Sequence, residues 1–399
     1  MKTIRILLLT LAWPLASSAF AQTWMPTGAP ATNWLSIAAS ADGNKLVAAA
    51  FGGFFFQGIS GSFLSGPICT STNSGLTWQE TTAPSQVWHA VTSSADGSKL
   101  AAVVQYGGIY TSTNSGESWA QATNAPTAFW NAIASSADGS ELIAAIPGAA
   151  YVAGAIYIST NSGTTWNLTS APNDEDWMSV SASADGSKLL ATAGDGWVYF
   201  STNSGAIWTQ ASLPNVGWQA SAVSSDGTTF VAAINFMPLG DGGPIFVSTN
   251  SGTAWFQSSA PIAEWQAVAS SADGKRLVAT VSRGGIYTSS DSGATWVANS
   301  APNLLWTSVT SSEDGTKLVA VVNGGGIYMP MLGISLSSSG VVLSWPTNSI
   351  NFALQQNVDL SQTNWVDVTN LPTLNLTNLQ YELTMPATNG WGFYRLKTP

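Results

Sequence analysis

The chain has 399 residues, of which 45% are hydrophobic and 8% are charged, so it is long enough to bury a large core. Acidic side chains outnumber basic ones by 21 to 11, and this excess argues against nucleic acid or an anionic membrane as a partner. The single cysteine, Cys69, excludes an intrachain disulfide, so stability must come from packing.

Residues 1–21 have the pattern of a secretory signal peptide. Lys2 and Arg5 precede a short apolar run, and Ala19–Ala21 forms an A-x-A cleavage site. The run is too short to span a bilayer, and no later apolar stretch reaches the length of a transmembrane helix. We therefore expect an exported protein, extracellular or periplasmic, cleaved near Ala21.

A Trp that is followed eight residues later by Asp-Gly recurs through most of the chain. Successive copies are 41 to 54 residues apart and begin at Trp34, Trp88, Trp130, Trp177, Trp218, Trp265 and Trp306. Repeats of roughly 40–45 residues with several short strands are typical of propellers, whose blades have four strands. In each unit we expect strand a to begin at this Trp, and Asp-Gly to turn the chain into strand b.

A second phrase, STNSGxxW or a close variant, occurs six times and is predicted to form the hairpin between strands c and d. It places an amide or carboxyl side chain at Asn73, Asn114, Asn161, Asn203, Asn250 and Asp291. An oxygen of Asn or Asp can accept backbone N–H bonds in such a turn, and the following Gly can adopt positive φ. We therefore interpret these six residues as structural.

The second phrase resembles the Asp-box (BNR) repeat of sialidase-like and sortilin-like propellers. This resemblance implies a seven-bladed β-propeller, in a family that contains both enzymes and pure binding proteins such as sortilin-type receptors and photosystem assembly factors. Sialidases of the family use three arginines, whereas the repeats here contain only Arg276 and Arg283. Xyloglucanase-like hydrolases with similar boxes use two Asp across a cleft between two propellers, and one ring is predicted here.

The seventh unit lacks the second phrase, and the N-terminus contains the missing part. The repeat ends after a predicted strand c at 326–330, whereas Trp24 lies ten residues before Trp34. That distance is also the usual spacing between the Trp of a box and the next strand a. We therefore expect residues 23–29 to be strand d of the seventh blade, which closes the ring and removes its open edges.

The C-terminal residues lack the repeat and alternate apolar and polar side chains in short runs, which predicts a small β-sandwich-like domain. An L-x-W strand and a terminal FYRL strand resemble modules at the C-terminus of some exported bacterial proteins. The fold class is thus all-β. The predicted domains are a signal peptide at 1–21, a seven-bladed propeller at 22–331 and a β-sandwich-like domain at 332–399.

Candidate binding residues lie in the segments that differ between blades. In a propeller the a–b and c–d turns share one face, here called the turn face, and the b–c loops and d–a linkers share the other, the variable face. Extra length falls mainly in three b–c loops, at about 52–65, 146–154 and 234–243. Variable loops on a rigid scaffold commonly carry binding sites, so we expect the ligand on the variable face.

Two sets of side chains are predicted on this face. The first set could provide acid–base catalysis at a glycosidic bond and comprises Asp174, Glu175, Asp176, Asp195, Asp241 and Glu264. The second could contact a sugar or a protein and comprises Phe54, Phe55, Phe56, Phe63, Arg283, Trp177, Trp265 and His89. The simpler interpretations are solvated loop acids, a Phe-rich flap folded onto its own blade, and Trp residues packed between blades.

The favoured function is a secreted, non-catalytic propeller that binds an extracellular glycan or protein on the variable face. A glycoside hydrolase or lyase that uses the acids of blades 4–6 is the first alternative, and a cell-surface or matrix scaffold is the second. His89 is the sole histidine and makes neither a metal site nor a catalytic triad, so we expect no metal and no cofactor. The expected state is a monomer.

Overall fold

The computed structural model describes residues 24–57, 60–148, 153–237 and 240–330, together with 333–337, 340–346, 353–357, 366–369, 372–375, 380–385 and 393–397. The predicted signal peptide lies outside these residues. Every regular element that they form is a β-strand. Within the same residues, no helix has the length and apolar character needed to cross a membrane.

The described repeats form seven antiparallel units, which we number as blades 1–7 with strands a to d; blade 5 has an extra short strand, and blades 6 and 7 are joined in one eight-stranded sheet. The first strand of the chain, β1 (Trp24–Pro26), belongs to blade 7. Blade 1 contains β2 (Trp34–Ala39), β3 (Leu46–Ala50), an inserted hairpin of β4 (Gly53–Gln57) and β5 (Ser60–Leu64), β6 (Ile68–Ser71) and β7 (Gln79–Glu80). Blade 2 contains β8 (Trp88–Ser93), β9 (Leu100–Val104), β10 (Ile109–Ser112) and β11 (Ala120–Gln121). Blade 3 contains β12 (Ala132–Ser135), β13 (Leu142–Ile146), β14 (Ala155–Ser159) and β15 (Asn167–Leu168).

The remaining blades follow the same order. Blade 4 contains β16 (Trp177–Ala182), β17 (Leu189–Ala193), β18 (Val198–Ser201) and β19 (Thr209–Gln210). Blade 5 contains β20 (Gly217–Val223), β21 (Phe230–Met237), the short β22 (Gly240–Asp241), β23 (Ile245–Ser248) and β24 (Phe256–Gln257). Blade 6 contains β25 (Trp265–Ser270), β26 (Leu277–Gly284), β27 (Ile286–Ser289) and β28 (Val297–Ala298), and blade 7 contains β29 (Leu304–Ser311), β30 (Leu318–Val322) and β31 (Ile327–Pro330).

Strand b lies at the centre of the core in each blade. All five residues of Leu46–Ala50 and of Leu100–Val104 are buried, because neighbouring blades cover both faces of these strands. Such strands are continuous apolar runs rather than alternating ones. The recurring Trp is fully buried in every blade, as Trp34 illustrates. Strand a begins at this Trp in four blades, but at Ala132 in blade 3, Gly217 in blade 5 and Leu304 in blade 7.

The a–b turns are held by a Ser-x-Asp arrangement that repeats around the molecule. In blade 1, Ser40 Oγ donates to Asp42 Oδ1 at 2.6 Å, and the same oxygen accepts the N–H of Asn44 at 2.9 Å. The N–H of Lys45 donates in turn to Ser40 Oγ at 3.0 Å. Asp-Gly therefore forms the tight turn that the sequence predicts.

Backbone hydrogen bonds join the seven a–b turns in a closed circle. Each bond runs from one turn to the turn of the next blade, along the series Ala41, Ala95, Ala137, Ala184, Ser225/Asp226, Ala272 and Glu313. The last bond returns to blade 1, because the N–H of Glu313 donates to the carbonyl of Ala41 at 2.8 Å. The units are therefore arranged as the blades of a propeller.

The N-terminal strand pairs where the sequence predicts. β1 is antiparallel to β31, with Trp24 opposite Pro330 and Pro26 opposite Tyr328. The Trp24 side chain is buried, and its ring centroid lies 6.3 Å from that of Trp306. Trp24 thus takes the place in blade 7 that the box Trp takes in the other blades.

The described C-terminal segments form two further antiparallel sheets. One contains β32 (Gly333–Ser337), β33 (Gly340–Pro346), β37 (Gln380–Met385) and β36 (Thr373–Asn375), in that order across the sheet. The other contains β35 (Val366–Asp367), β34 (Ala353–Asn357) and β38 (Phe393–Lys397). Short strands are what the alternating pattern predicts here.

Candidate functional site

Paired backbone bridges define the variable face. In blade 2 the b–c turn and the following linker meet at Gly107 and Ala128, whose N–H groups donate to each other's carbonyls at 3.0 Å. Equivalent bridges join Gly196 to Val216 and Gly243 to Ala263. Backbone hydrogen bonds therefore hold the b–c turns against the d–a linkers on this face.

The Asp-box residues are engaged in their own turns. In the first box, Ser71 Oγ donates to Asn73 Oδ1 at 3.0 Å, and Asn73 Oδ1 accepts the N–H of Thr77 at 2.9 Å. Ser74 adopts a left-handed conformation with φ of 56°, which the sequence did not indicate. The Asp291 carboxylate replaces the amide without changing these bonds. The structural interpretation of the six boxes thus fits the geometry.

Trp177 and Trp265, which the sequence offered as stacking surfaces, are core residues. Both are 0% exposed, so neither ring presents a face to solvent. Trp265 packs edge-on against Tyr287 at 5.3 Å and donates from Nε1 to the carbonyl of Gly243 at 2.9 Å. Trp177 packs in the same way against Tyr199. Packing within the core explains both residues without a ligand.

Glu175 is a buried carboxyl that joins a linker to a turn. It is 7% exposed, its Oε1 accepts the hydroxyl of Tyr199 at 3.0 Å, and its Oε2 accepts the N–H of Trp197 at 3.4 Å. Burial raises the pKa of the Glu175 carboxyl. A Cβ on Gly196 would collide with Glu175 Oε2 and lie 2.9 Å from the Ala193 Cβ, so a side chain here would displace the Glu175 carboxyl. These contacts make Glu175 a packing residue rather than a solvent-facing acid.

Three of the other predicted acids lie near the same linker, and we call Asp174, Asp176 and Asp195 the acidic patch. Asp174 and Asp195 are exposed, and Asp176 is half-buried. Burial and the nearby Asp195 charge raise the pKa of Asp176. The N–H of Gly194, beside Asp195, donates to the carbonyl of Asp176 at 2.7 Å, which fixes the turn against the linker.

The remaining predicted residues lie on other blades. Glu264 is half-buried in the linker before blade 6, and Arg283 is exposed on the b–c turn of that blade. The backbone of Asp241 pairs with Phe236, whereas its side chain lies outside the described part. In the part of the chain that is described, no three His, Cys, Asp or Glu residues are grouped to hold a metal ion.

The Phe-rich insert of blade 1 forms a two-stranded hairpin. Its register places Phe54 opposite Phe63, Phe55 opposite Ser62 and Phe56 opposite Gly61. The side chains of these residues lie outside the described part, so the proposal that they bind a ligand stays a prediction.

An aromatic cluster lies at the junction of blades 2 and 3, and we call His89, Tyr106 and Phe129 the aromatic patch. The sequence predicts His89 as a candidate contact residue, but neither Tyr106 nor Phe129. Tyr106 is 68% exposed, and its ring centroid lies 4.9 Å from that of Phe129. The His89 ring lies 6.0 Å from Phe129, and its Nδ1 is 2.8 Å from the carbonyl oxygen of Asn131. Burial lowers the pKa of His89. The sequence feature that could have predicted this patch is Tyr106 itself, because it is a bulky residue directly before Gly-Gly in a tight turn.

Two small cavities among the described residues lie away from this surface. Both are small clefts between blades on the turn face, one beside Lys99 and Ser162 and the other beside Glu141 and Gly186. Side chains such as Tyr106 instead stand on the open variable face.

No protein-family model matches the chain, and no curated protein matches it in sequence. Solved structures do match its fold. YCF48 from Cyanidioschyzon merolae aligns with a TM-score of 0.57 and 16% identity over 77% of this chain and 98% of its own. YCF48 bound to D1 peptide aligns with a TM-score of 0.57 and 14% identity over 79% of this chain and 98% of its own.

An ancestral GH74 enzyme aligns with a TM-score of 0.58 and 15% identity over 86% of this chain. The alignment covers 52% of that enzyme, so this chain spans about half of its length. Identities this low show the fold alone. The chain is a β-propeller repeat protein similar in structure to YCF48 and to GH74 propellers.

Proposed function

We propose that the protein is an exported, seven-bladed, non-catalytic propeller that binds a segment of another polypeptide on its variable face. The observation that carries this proposal is the exposed Tyr106 ring beside the half-buried Phe129 and His89, on the variable face that also carries the acidic patch. Exposed aromatic side chains on a rigid backbone are typical centres of protein interfaces. In support, a structure of similar fold, YCF48, has been solved with a D1 peptide bound.

A glycoside hydrolase is the second candidate, and one observation favours it. Asp176 is half-buried with a raised pKa and lies near the exposed Asp195, so the two carboxyls differ in environment. Such a difference is what an acid and a base in glycoside hydrolysis need. Against it, Glu175 is already engaged by Tyr199, and the GH74 structure is about twice as long as the part that aligns.

The purified mature chain, its start at Gln22 checked by N-terminal sequencing, distinguishes these functions in one set of assays. We expect it to bind members of a synthetic peptide array, to bind no member of a glycan array, and to release no reducing sugar from plant or microbial polysaccharides. The matched control is Asp176→Asn, which would abolish sugar release by a hydrolase. Sugar release that disappears in Asp176→Asn would establish the enzyme and overturn the binding proposal. An array on which no peptide binds would also overturn the binding proposal.

A further inference from the structure

The tips of four short b–c turns are equivalent positions on the variable face. They hold Tyr106, Asp195, Arg283 and Gly324 in blades 2, 4, 6 and 7. The backbone is left-handed at three of them, with φ of 56° at Tyr106, 55° at Arg283 and 72° at Gly324. Glycine adopts this conformation freely, whereas a side chain makes it unfavourable. Blade 7 shows that glycine fits the turn, so Tyr106 is present at a cost in stability.

Tyr106 does not recover that cost by burying its ring in the core, since 68% of the residue remains exposed. Its position is nevertheless fixed. The neighbouring Gly107 and Ala128 exchange two backbone hydrogen bonds of 3.0 Å, which hold the turn against the linker that carries Phe129. The Phe129 ring meets Tyr106 at 4.9 Å with the planes tilted by 43°. Strained and exposed residues on anchored backbone are typical of functional sites.

The acidic patch lies on the next blade junction. Asn131, whose carbonyl oxygen contacts His89, donates from Nδ2 to the carbonyl of Met178 at 3.0 Å. Asp176 precedes Met178 by two residues, so Asn131 contacts the aromatic patch through its backbone and the strand next to the acidic patch through its side chain. Within the described residues, no ion pair involves the acidic patch. The carboxylates there are therefore available to a cation from outside the chain.

We propose that the aromatic patch receives a large apolar or aromatic side chain of an extended cationic polypeptide segment, whose Lys or Arg side chains meet the acidic patch. This inference rests on the proposed function and names the partner's chemistry and the residue that contacts it first, Tyr106. Charge complementarity selects the partner, because no basic side chain among the described residues forms an ion pair with the acidic patch, and Arg283 stands on blade 6.

The test compares Tyr106→Gly with Arg283→Gly in the mature chain. The probe is a labelled synthetic nonapeptide with one Trp and three Lys in a Gly/Ser background, followed by fluorescence anisotropy. Both variants place glycine where the backbone is left-handed and so remove the strain of a side chain there. Both should therefore unfold at the same or a higher temperature than the parent. Only Tyr106→Gly should weaken peptide binding, by about tenfold or more, as loss of an interface anchor does.

Further arms make the outcome decisive. Peptides with Glu in place of Lys, or Ser in place of Trp, should bind about tenfold or more weakly. Tyr106→Asn, which tolerates left-handed backbone, should repeat the binding loss if Tyr106→Gly folds poorly. Equal affinities for the parent and both Tyr106 variants, or binding of cello- or chito-oligosaccharides that Tyr106→Gly removes, would overturn the inference. Peptide binding that survives these variants would leave the proposed function intact, whereas its absence from the parent would overturn that function as well.

Discussion

Thr192 and Thr280 occupy the same position of strand b in blades 4 and 6, where both side chains are fully buried. Neither Oγ1 atom has a hydrogen-bond partner within the described residues. Blades 2 and 7 hold Val103 and Val321 at the equivalent position. A buried hydroxyl without a partner has lost its hydrogen bonds to water and gained none in exchange. The two threonines are therefore exceptions to an otherwise apolar layer.

We expect Thr192→Val and Thr280→Val each to raise the free energy of unfolding by about 1 kcal/mol, measured by urea denaturation. The two sites lie on different blades, so the double variant should gain about the sum. Ser159→Ala is the matched control, because Ser159 Oγ is also buried but donates to Asn161 Oδ1 and accepts the N–H of Gly163. That variant should lose stability. Valine variants less stable than the parent would instead indicate hydroxyls bonded to buried water.

At the scale of an element, the sequence predicted features that depend on adjacent residues, but not contacts between separate segments. Asp-Gly predicts every a–b hairpin because the geometry of that turn depends on adjacent residues. The aromatic patch escaped prediction because Tyr106 and Phe129 belong to different segments and meet only after the linker bridges to the turn. Burial of Glu175 escaped for the same reason, since its partner Tyr199 lies in strand c of the next blade.

Glu175 gives the junction between the linker and blade 4 a defined pH dependence. Burial raises the pKa of this carboxyl in the folded state above its ordinary value of 4.5. The folded state therefore binds the proton more tightly than the unfolded state, so the contribution of Glu175 to stability falls as pH rises above about 4.5. Once the folded carboxyl has ionised, this loss is complete. The neutral isostere Glu175→Gln still accepts the Tyr199 hydroxyl and should lack the effect.

Urea unfolding of the parent and of Glu175→Gln between pH 4 and pH 8 measures this difference. The stability of the parent relative to Glu175→Gln should fall with increasing pH and then level off. Tyr199→Phe is a useful control, because it removes the hydroxyl that stabilises the ionised carboxyl, so the fall should be larger and extend to higher pH. Parallel pH profiles for the parent and Glu175→Gln would contradict the prediction.

At the scale of the whole molecule, two features close the circle of blades. The first is the series of backbone bonds through the a–b turns, which returns from Glu313 to Ala41. The sequence did not predict this series, because its bonds join backbone atoms and therefore require no particular side chain. The second is the pairing of β1 with β31, which the ten-residue distance from Trp24 to Trp34 did predict. The spacing along the chain predicted the pairing of β1 with β31, whereas the circle of bonds between the a–b turns required the three-dimensional structure.

Trp24 should therefore be as important to stability as a Trp inside a continuous blade. We expect Trp24→Ala to lower the free energy of unfolding by about 3–5 kcal/mol, as for other large buried aromatic side chains. The matched control is Trp166→Ala in blade 3, because this box Trp is also buried and its ring lies 6.4 Å from Trp130, close to the 6.3 Å between Trp24 and Trp306. Similar losses in the two variants, measured by urea unfolding, would show that blade 7 is closed as firmly as the others.

Removal of residues 22–30 tests the closure more severely, because it deletes the whole of β1 and leaves β31 as an unpaired edge. Unpaired edges associate with other strands, so this variant should unfold at a lower temperature and should form dimers or larger species as its concentration rises. A synthetic peptide of residues 22–33 should restore the parent's unfolding temperature by pairing with β31. Deletion of 333–399 is the control and should leave the propeller folded and monomeric. An unchanged unfolding temperature without residues 22–30 would mean that β1 does not stabilise the ring by closing it.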